Sequence, residues 1–279
     1  MKAKGTPVSA PTIARWLAAL NVRLRKIYKT IAGGESADRE RQFDRIAELV
    51  DEYETAGNPW FSMDTKAKER LGKLYRKGRS YCSHPPKAFD HDFPSWADGV
   101  VIPHGIYDRK MNLGHINLGL SRDTTEFACE SFWQFWRLFG RKRYPEAKSI
   151  LLTCDCGGSN PAGKDIFKHD LEHLATKIGL PIRVAHYPSY CSKYNPIERR
   201  LFPHIGRVCQ GKLFDSIGRV AQLMRRATTV PGLRTTVRVI DKTYETGRKL
   251  GKAAKESIQI KYDELIPKWN YVAEPQTRQ

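Results

Sequence analysis

Three acidic residues, Asp64, Asp155 and Glu198, stand in contexts that fit one metal-dependent site. Asp64 follows the apolar start Trp60-Phe61-Ser62-Met63, and Asp155 follows Ile150-Leu151-Leu152-Thr153-Cys154. Both runs read as buried strands. Glu198 follows Asn195-Pro196-Ile197, where Asn195 suits a helix N-cap and Pro196 the first helical position. Carboxylates at such ends can converge on hard divalent cations, which prefer oxygen ligands. A pair of such ions can activate an attacking oxygen and stabilise a leaving oxygen at a phosphodiester. The chain carries 48 Lys and Arg against 30 Asp and Glu, a net charge of +18. That excess favours a polyanionic partner, DNA first among them.

Each carboxylate also has a plainer reading. A Glu at the third helical position is commonly half of a capping box. The loop before it, His186-Tyr187-Pro188-Ser189-Tyr190-Cys191-Ser192-Lys193-Tyr194, is of a kind that lines an active site. Strands often end in Asp for turn reasons. Here Gly157-Gly158-Ser159-Asn160 follows Asp155 and would let the backbone approach a phosphate. Asp64 is a charge directly after an apolar strand start, which needs a partner. Lys66 and Lys68 then place cations beside it as phosphate contacts, and Lys193 and Arg199 do the same around Glu198.

Two further patterns attract metal readings. His169-Asp170-Leu171-Glu172-His173 matches the H-x-x-E-H zinc spacing. Phe167, Leu171, Leu174 and Ile178 form that helix's apolar stripe, which puts His169 and His173 on the opposite, solvent face. Asp90-His91-Asp92 with Asp98 reads as a solvated loop.

The elements that must position the three carboxylates follow from periodicity. Ser9 to Leu20 reads as a short helix with Ile13, Trp16, Leu17 and Leu20 as its stripe. The basic stretch Val22 to Lys29 follows it, which fits either a plain amphipathic surface helix or a partial helix-turn-helix with Arg15, Arg23 and Arg25 as candidate DNA contacts. Gly33-Gly34-Glu35-Ser36 breaks the pattern. Asp38 to Ala56 is an amphipathic helix whose face is Phe43, Ile46, Ala47, Val50 and Tyr53. After the Asp64 strand, Lys66 to Lys87 reads as a basic excursion. Val100 to Tyr107 and His115 to Leu120 form a hairpin, and Thr124 to Phe139 is an aromatic-rich helix. The Asp155 strand, a helix stopping at Gly179, the strand Ile182 to His186 and the Glu198 helix complete the series.

This order is that of an RNase H-like α/β domain, a mixed sheet with helices on both faces, preceded by a small helical region. The expected division is a helical region 1–57, a catalytic domain 58–215 and a basic C-terminal extension 216–279 packed on that domain. No run of about 18 apolar residues is present for a membrane-spanning helix, and no apolar segment of a signal peptide follows Met1. The six cysteines lack the spacing of a zinc ribbon or a disulfide scaffold, so free thiols in a reducing cytoplasm are expected.

At these residues the chain resembles the DDE transposases of bacterial insertion sequences, closest to the Rhodopirellula-type transposase DDE domain family. The resemblance rests on Met63-Asp64-Thr65-Lys66 with Glu69, His91-Asp92-Phe93-Pro94 and Ile102 to Asp108. It continues through Ser121-Arg122-Asp123-Thr124, Asp155 to Asn160, Ser192 to Glu198 and Trp269-Asn270-Tyr271. Asn-Pro-Ile-Glu is also similar to the wider mariner-like superfamily. The resemblance covers about Ser9 to Pro275. It implies that Asp64, Asp155 and Glu198 are a metal-binding triad using two Mg²⁺ ions, with Mn²⁺ as a substitute. It further implies cleavage at element ends, attack of the freed 3′-OH on target DNA, a homo-oligomer on DNA, and a bacterial cytoplasmic location. Members carry a fuller DNA-binding region ahead of the segment that begins here at Ser9. The alternatives are an RNase H-like nuclease without strand transfer and an inactive DNA-binding remnant.

Overall fold

The computed structural model describes residues 8–25, 37–157 and 160–276. Part of the basic stretch after Arg25, the Gly33–Ser36 break, and Gly158 and Ser159 of the glycine loop lie outside the described residues. By its contacts the chain divides into Met1–Gly33 and Gly34–Gln279. Helix α1 (Ala10–Ala19) belongs to the first unit. Its cap is Ser9, whose hydroxyl accepts from the Thr12 N–H at 3.3 Å, and Trp16 and Leu20 are exposed.

The second unit opens with α2 (Arg39–Thr55) and then runs β1 (Trp60–Thr65), β2 (Glu69–Leu71), β3 (Gly99–Asp108) and β4 (Leu113–Gly119). Helix α3 (Thr125–Phe135), α4 (Arg141–Arg143), β5 (Ile150–Cys154), α5 (Asp165–Ile178) and β6 (Ile182–His186) follow. Then come α6 (Pro196–Arg200), α7 (Phe202–Cys209), α8 (Ile217–Met224), β7 (Arg234–Ile240), α9 (Lys252–Glu256), β8 (Ile260–Tyr262) and β9 (Asn270–Ala273). The strands form one sheet in the order β7-β4-β3-β1-β5-β6-β9-β8, with β2 paired to β3. Its centre, β4-β3-β1-β5-β6, is antiparallel from β1 to β4 and parallel from β1 to β6, the expected RNase H-like arrangement.

Alternation along β1 sets the two layers. Phe61 and Met63 face the larger core with α3 and α5. The Phe61 ring sits edge-on to Phe132, Phe135, Trp136 and Tyr144 at 5.0–6.4 Å. Trp60, Ser62 and Asp64 face the other side, where Trp60 packs with Ile46 and Leu49 of α2 and Ser62 meets the start of α6.

Several elements differ from the sequence expectation. The aromatic helix does not run unbroken to Phe139: Trp136–Gly140 is a π-helical turn between α3 and α4. A Cβ on Gly140 would lie 2.3 Å from the Trp136 ring, so the wider turn seats that indole against bare backbone. The buried stripe of α2 is Gln42, Ile46 and Leu49, with Ala47 exposed. The Gln42 amide donates to the His186 carbonyl at 3.1 Å, which turns the stripe toward the end of β6. Helix α2 therefore shares a core with the sheet. The described part of the expected C-terminal extension adds strands to the sheet. Strand β7 extends the β4 edge in parallel, and the β8–β9 hairpin extends the β6 edge.

Candidate active site

The three carboxylates come from the places the sequence pointed to: β1, the residue after β5, and the first turn of α6. Two glycines let α6 and α7 settle on the sheet. Gly105 pairs with Asp64 in register, and a Cβ there would lie 2.7 Å from Ile197 and from Phe202. A Cβ on Gly114 would lie 2.4 Å from Leu201.

A buried latch fixes Glu198 beside Asp64. The Ser62 hydroxyl donates to the Asn195 side-chain oxygen and accepts from the Ile197 N–H at 2.9 Å. The Asn195 amide donates to the Met63 carbonyl at 3.2 Å. Asn195 is thus the N-cap residue by position, but its side chain binds β1, and Ser62 supplies the cap from another element. Glu198 is not half of a capping box, because the Asn195 N–H goes to Ser192 O at 2.8 Å. Ser62→Ala would leave the Asn195 oxygen and the Ile197 N–H unpaired in a fully buried place. A loss of about 1–3 kcal/mol of stability is expected, together with a lower turnover number because Glu198 is no longer held. Thermal melting and strand cleavage on one preparation check this, and an unchanged melting temperature would refute the latch.

Asp155 is held through its backbone. The His186 Nδ1–H donates to the Asp155 carbonyl at 2.8 Å, and His186 Nε2 accepts from the Tyr271 hydroxyl at 2.9 Å. Burial pushes His186 down to about 4, so it is neutral and keeps this tautomer. Sequence reasoning missed Ser62, His186 and Tyr271 as positioning residues. Their partners lie 31 to 135 positions away, which no local pattern displays.

Burial first, and the Asp155 charge next, push the Asp64 carboxyl up to about 8, with Glu198 adding to the shift and the Thr65 N–H opposing it. Protonated Asp64 donates to Glu198. Burial also raises Asp155, helped by Glu198 and Asp123 and opposed by the Gly157 N–H. Burial raises Glu198 in turn, with Asp64 and Lys66 opposing. Asp123 is a fourth carboxylate the sequence did not single out for the site. It accepts from the Thr65 hydroxyl at 3.2 Å.

Among the described residues none of the three carboxylates makes an ion pair, and no group of three His, Cys, Asp or Glu is drawn together as a ready metal cage. The donor set still fits a hard divalent ion. It is all oxygen, partly buried and short of positive charge.

The expected DNA contacts fall in three places. Lys66 is bound to Glu69, which Arg76 also pairs, so its charge reaches the triad only as a field on Glu198. Lys68, Lys193 and Arg199 are exposed, and the latter two stand over the Tyr194 ring at 5.1 and 5.9 Å. Arg15, Arg23 and Arg25 are exposed in the N-terminal unit. The H-x-x-E-H spacing builds no zinc site among the described residues: Glu172 is buried and accepts from the Gln259 N–H at 2.8 Å, while the His169 and His173 rings lie tilted with centroids 4.3 Å apart. His169 is partly covered rather than solvent-facing. Asp92 accepts from the Tyr75 N–H at 2.7 Å and pins the β2–β3 excursion.

The family described as Rhodopirellula transposase DDE domain matches residues 1–275. No curated protein matches the chain in sequence. Among solved structures, the chain is similar to a Mos1 transposase paired-end complex with left transposon end, at 17% identity and a TM-score of 0.51. That match covers 77% of this chain and 61% of that one. A pre-cleavage Mos1 transpososome matches at 15% identity and 0.52, covering 77% and 62%. A Mos1 strand transfer complex matches at 15% identity and 0.50, covering 77% and 61%. The chain therefore spans about three fifths of the length of these solved chains. Among the described residues no helix is long and apolar enough to cross a membrane.

Proposed function

Because the chain belongs to the Rhodopirellula transposase DDE domain family, we propose that it is a DNA transposase of an insertion sequence. It cuts DNA strands and joins the freed 3′-OH to target DNA through Asp64, Asp155 and Glu198. The observation that supports this reading is that the three carboxylates, from three separate elements, act on one another, and that burial first and the Asp155 charge next push Asp64 up to about 8.

Asp64, Asp155 and Glu198 are the residues that would hold divalent ions. When bound, two Mg²⁺ or Mn²⁺ ions supply the positive charge that activates an attacking oxygen and stabilises a leaving one. The chain's own part is placement. Ser62 and Asn195 hold Glu198, His186 holds the Asp155 backbone, and the Thr65 N–H holds one Asp64 oxygen at 2.7 Å. Lys68, Lys193 and Arg199, with Arg15, Arg23 and Arg25 of the N-terminal unit, serve as DNA contacts. Lys66 is paired with Glu69 and reaches the triad only as a field on Glu198. The partners are element ends and target DNA, engaged by a homo-oligomer in the bacterial cytoplasm.

The test is a strand-transfer assay with a precut donor end, target DNA and Mg²⁺. Joined product is expected. Hydrolysis without joining would leave an RNase H-like nuclease, and neither reaction would leave a DNA-binding remnant.

A further inference from the structure

A second polar cavity lies on the same sheet face as the triad, at the opposite end of β1. It encloses about 700 Å³ and is walled by Trp60, Tyr187 and Tyr194 together with Arg109, Arg199 and Arg200. No carboxylate lines it among the described residues. The three guanidinium groups are nearly free of anions: Arg109 approaches Glu54 only at 3.9 Å with both side chains half exposed, and Arg199 and Arg200 make no ion pair among the described residues. Arg109 stands over the Trp60 ring at 5.2 Å and Arg199 over the Tyr194 ring at 5.9 Å. Arg199 and Arg109 both act on the Tyr187 hydroxyl, and Arg200 and Arg109 on that of Tyr107, so the positive charges converge on one space.

Excess cation on aromatic walls selects a ligand with an anionic group and a flat ring. The volume falls within the roughly 300–1,000 Å³ range of small-ligand pockets. Two of the rings are recessed, Trp60 at 8% exposed and Tyr187 at 6%, while Tyr194 is open to solvent at 39%. The Trp60 indole is pinned by its N–H bond to the Thr153 hydroxyl at 3.1 Å, so its face is rigid. A base still paired in a duplex cannot reach such a surface, whereas an unpaired one can. We propose that this cavity binds an unpaired nucleotide of a DNA strand, its base against Trp60 and Tyr194 and its phosphate on Arg109 and Arg200.

Helix α6 couples the cavity to the triad. Glu198 and Arg199 are consecutive, and about 100° of helical turn sends one to Asp64 and the other to the cavity. A single strand crossing α6 would present a phosphodiester to the carboxylates and a neighbouring nucleotide to the aromatic walls. The proposal rests on DNA being the substrate, yet it concerns a site that contains none of the triad.

The test is binding of a fluorescent pentathymidylate to the full chain, with an abasic strand of equal length and inorganic phosphate as competitors, in EDTA. Arg109→Ala and Arg200→Ala are each expected to weaken binding about tenfold and to lower the salt slope by about one counterion. Tyr194→Ala is expected to weaken the base-bearing strand about tenfold and leave the abasic strand unchanged. All three side chains reach the surface, and Arg109→Lys, which keeps charge but not the planar face, guards against a folding defect. Failure of the wild type to bind, equal affinity for abasic and base-bearing strands, or competition by phosphate as strong as by the strand would overturn the proposal. Cavity-dependent binding without metal-dependent cleavage would refute the transposase reading alone. Cleavage that depends on Asp155, with Arg109→Ala and Tyr194→Ala binding as the wild type does, would refute the cavity alone.

Discussion

Asp155→Asn is expected to lower Mg²⁺-dependent strand cleavage by at least about a thousandfold while leaving the fold intact. The substitution removes one negative charge from a site whose function would be to concentrate charge on divalent ions. The structural cost is small. Asp155 lies just past β5, partly exposed, and among the described residues its side chain accepts only from the Gly157 N–H, at 3.3 Å. An amide oxygen accepts that bond equally well. The backbone carbonyl that His186 grips is untouched. Cleavage of a labelled duplex, with circular dichroism and melting on the same sample, separates chemistry from folding. Residual cleavage within tenfold of the wild type would remove Asp155 from the reacting centre.

The triad elements were legible because each carries a local signal. An apolar run marks β1 and β5, and Pro196 marks the start of α6. Their order was legible too, since strand-strand-strand-helix alternation admits few topologies. What escaped the sequence is what depends on distant partners. Asn195 looked like a cap for its own helix, yet the pull of buried Ser62 and the Met63 carbonyl wins, because those groups have no water to turn to. Ala47 stood on the expected apolar face of α2, yet Leu49 is the residue buried there. The Gln42 bond to the end of β6 sets that rotation. No local signal assigns β7 a partner, because β4 exposes the edge it joins only after β3 and β4 have paired. Gly105 is ordinary in sequence and indispensable in space, since any side chain there would displace Ile197 and Phe202 from beside the triad.

The metal-free protein is expected to be most stable near pH 6.5 and to weaken toward pH 8.5, and the sign follows from two opposed sets of groups. Burial pushes His104 down to about 3 and His115 and His186 down to about 4. Between those values and about 6.5 the unfolded chain binds more protons than the folded one, so stability rises with pH and the gain is complete by about 6.5. Asp64 behaves oppositely. Its folded value of about 8 exceeds the ordinary 3.8, so the folded chain holds a proton that the unfolded chain has released. That contribution is present at low pH and is lost as pH rises through about 8. Above 6.5 the histidines have stopped contributing; the carboxylate cluster sets the slope first, and toward pH 8.5 the thiols of Cys129, Cys154, Cys156 and Cys209, all pushed up by burial, add a loss of the same sign. The loss is on the order of 2 kcal/mol, or about 4–8 °C of melting temperature for a chain of this size. Asp64→Asn cannot ionise, so it is expected to flatten this limb and, at pH 8.5 in EDTA, to melt above the wild type while losing cleavage. Mg²⁺ should raise the wild-type melting temperature more at pH 8.5 than at pH 5.5, because oxygen ligands must shed their protons to bind it. An Asp64→Asn protein that keeps the full wild-type decline from pH 6.5 to 8.5 would place the alkaline weakness elsewhere and strip the triad of its strained charge.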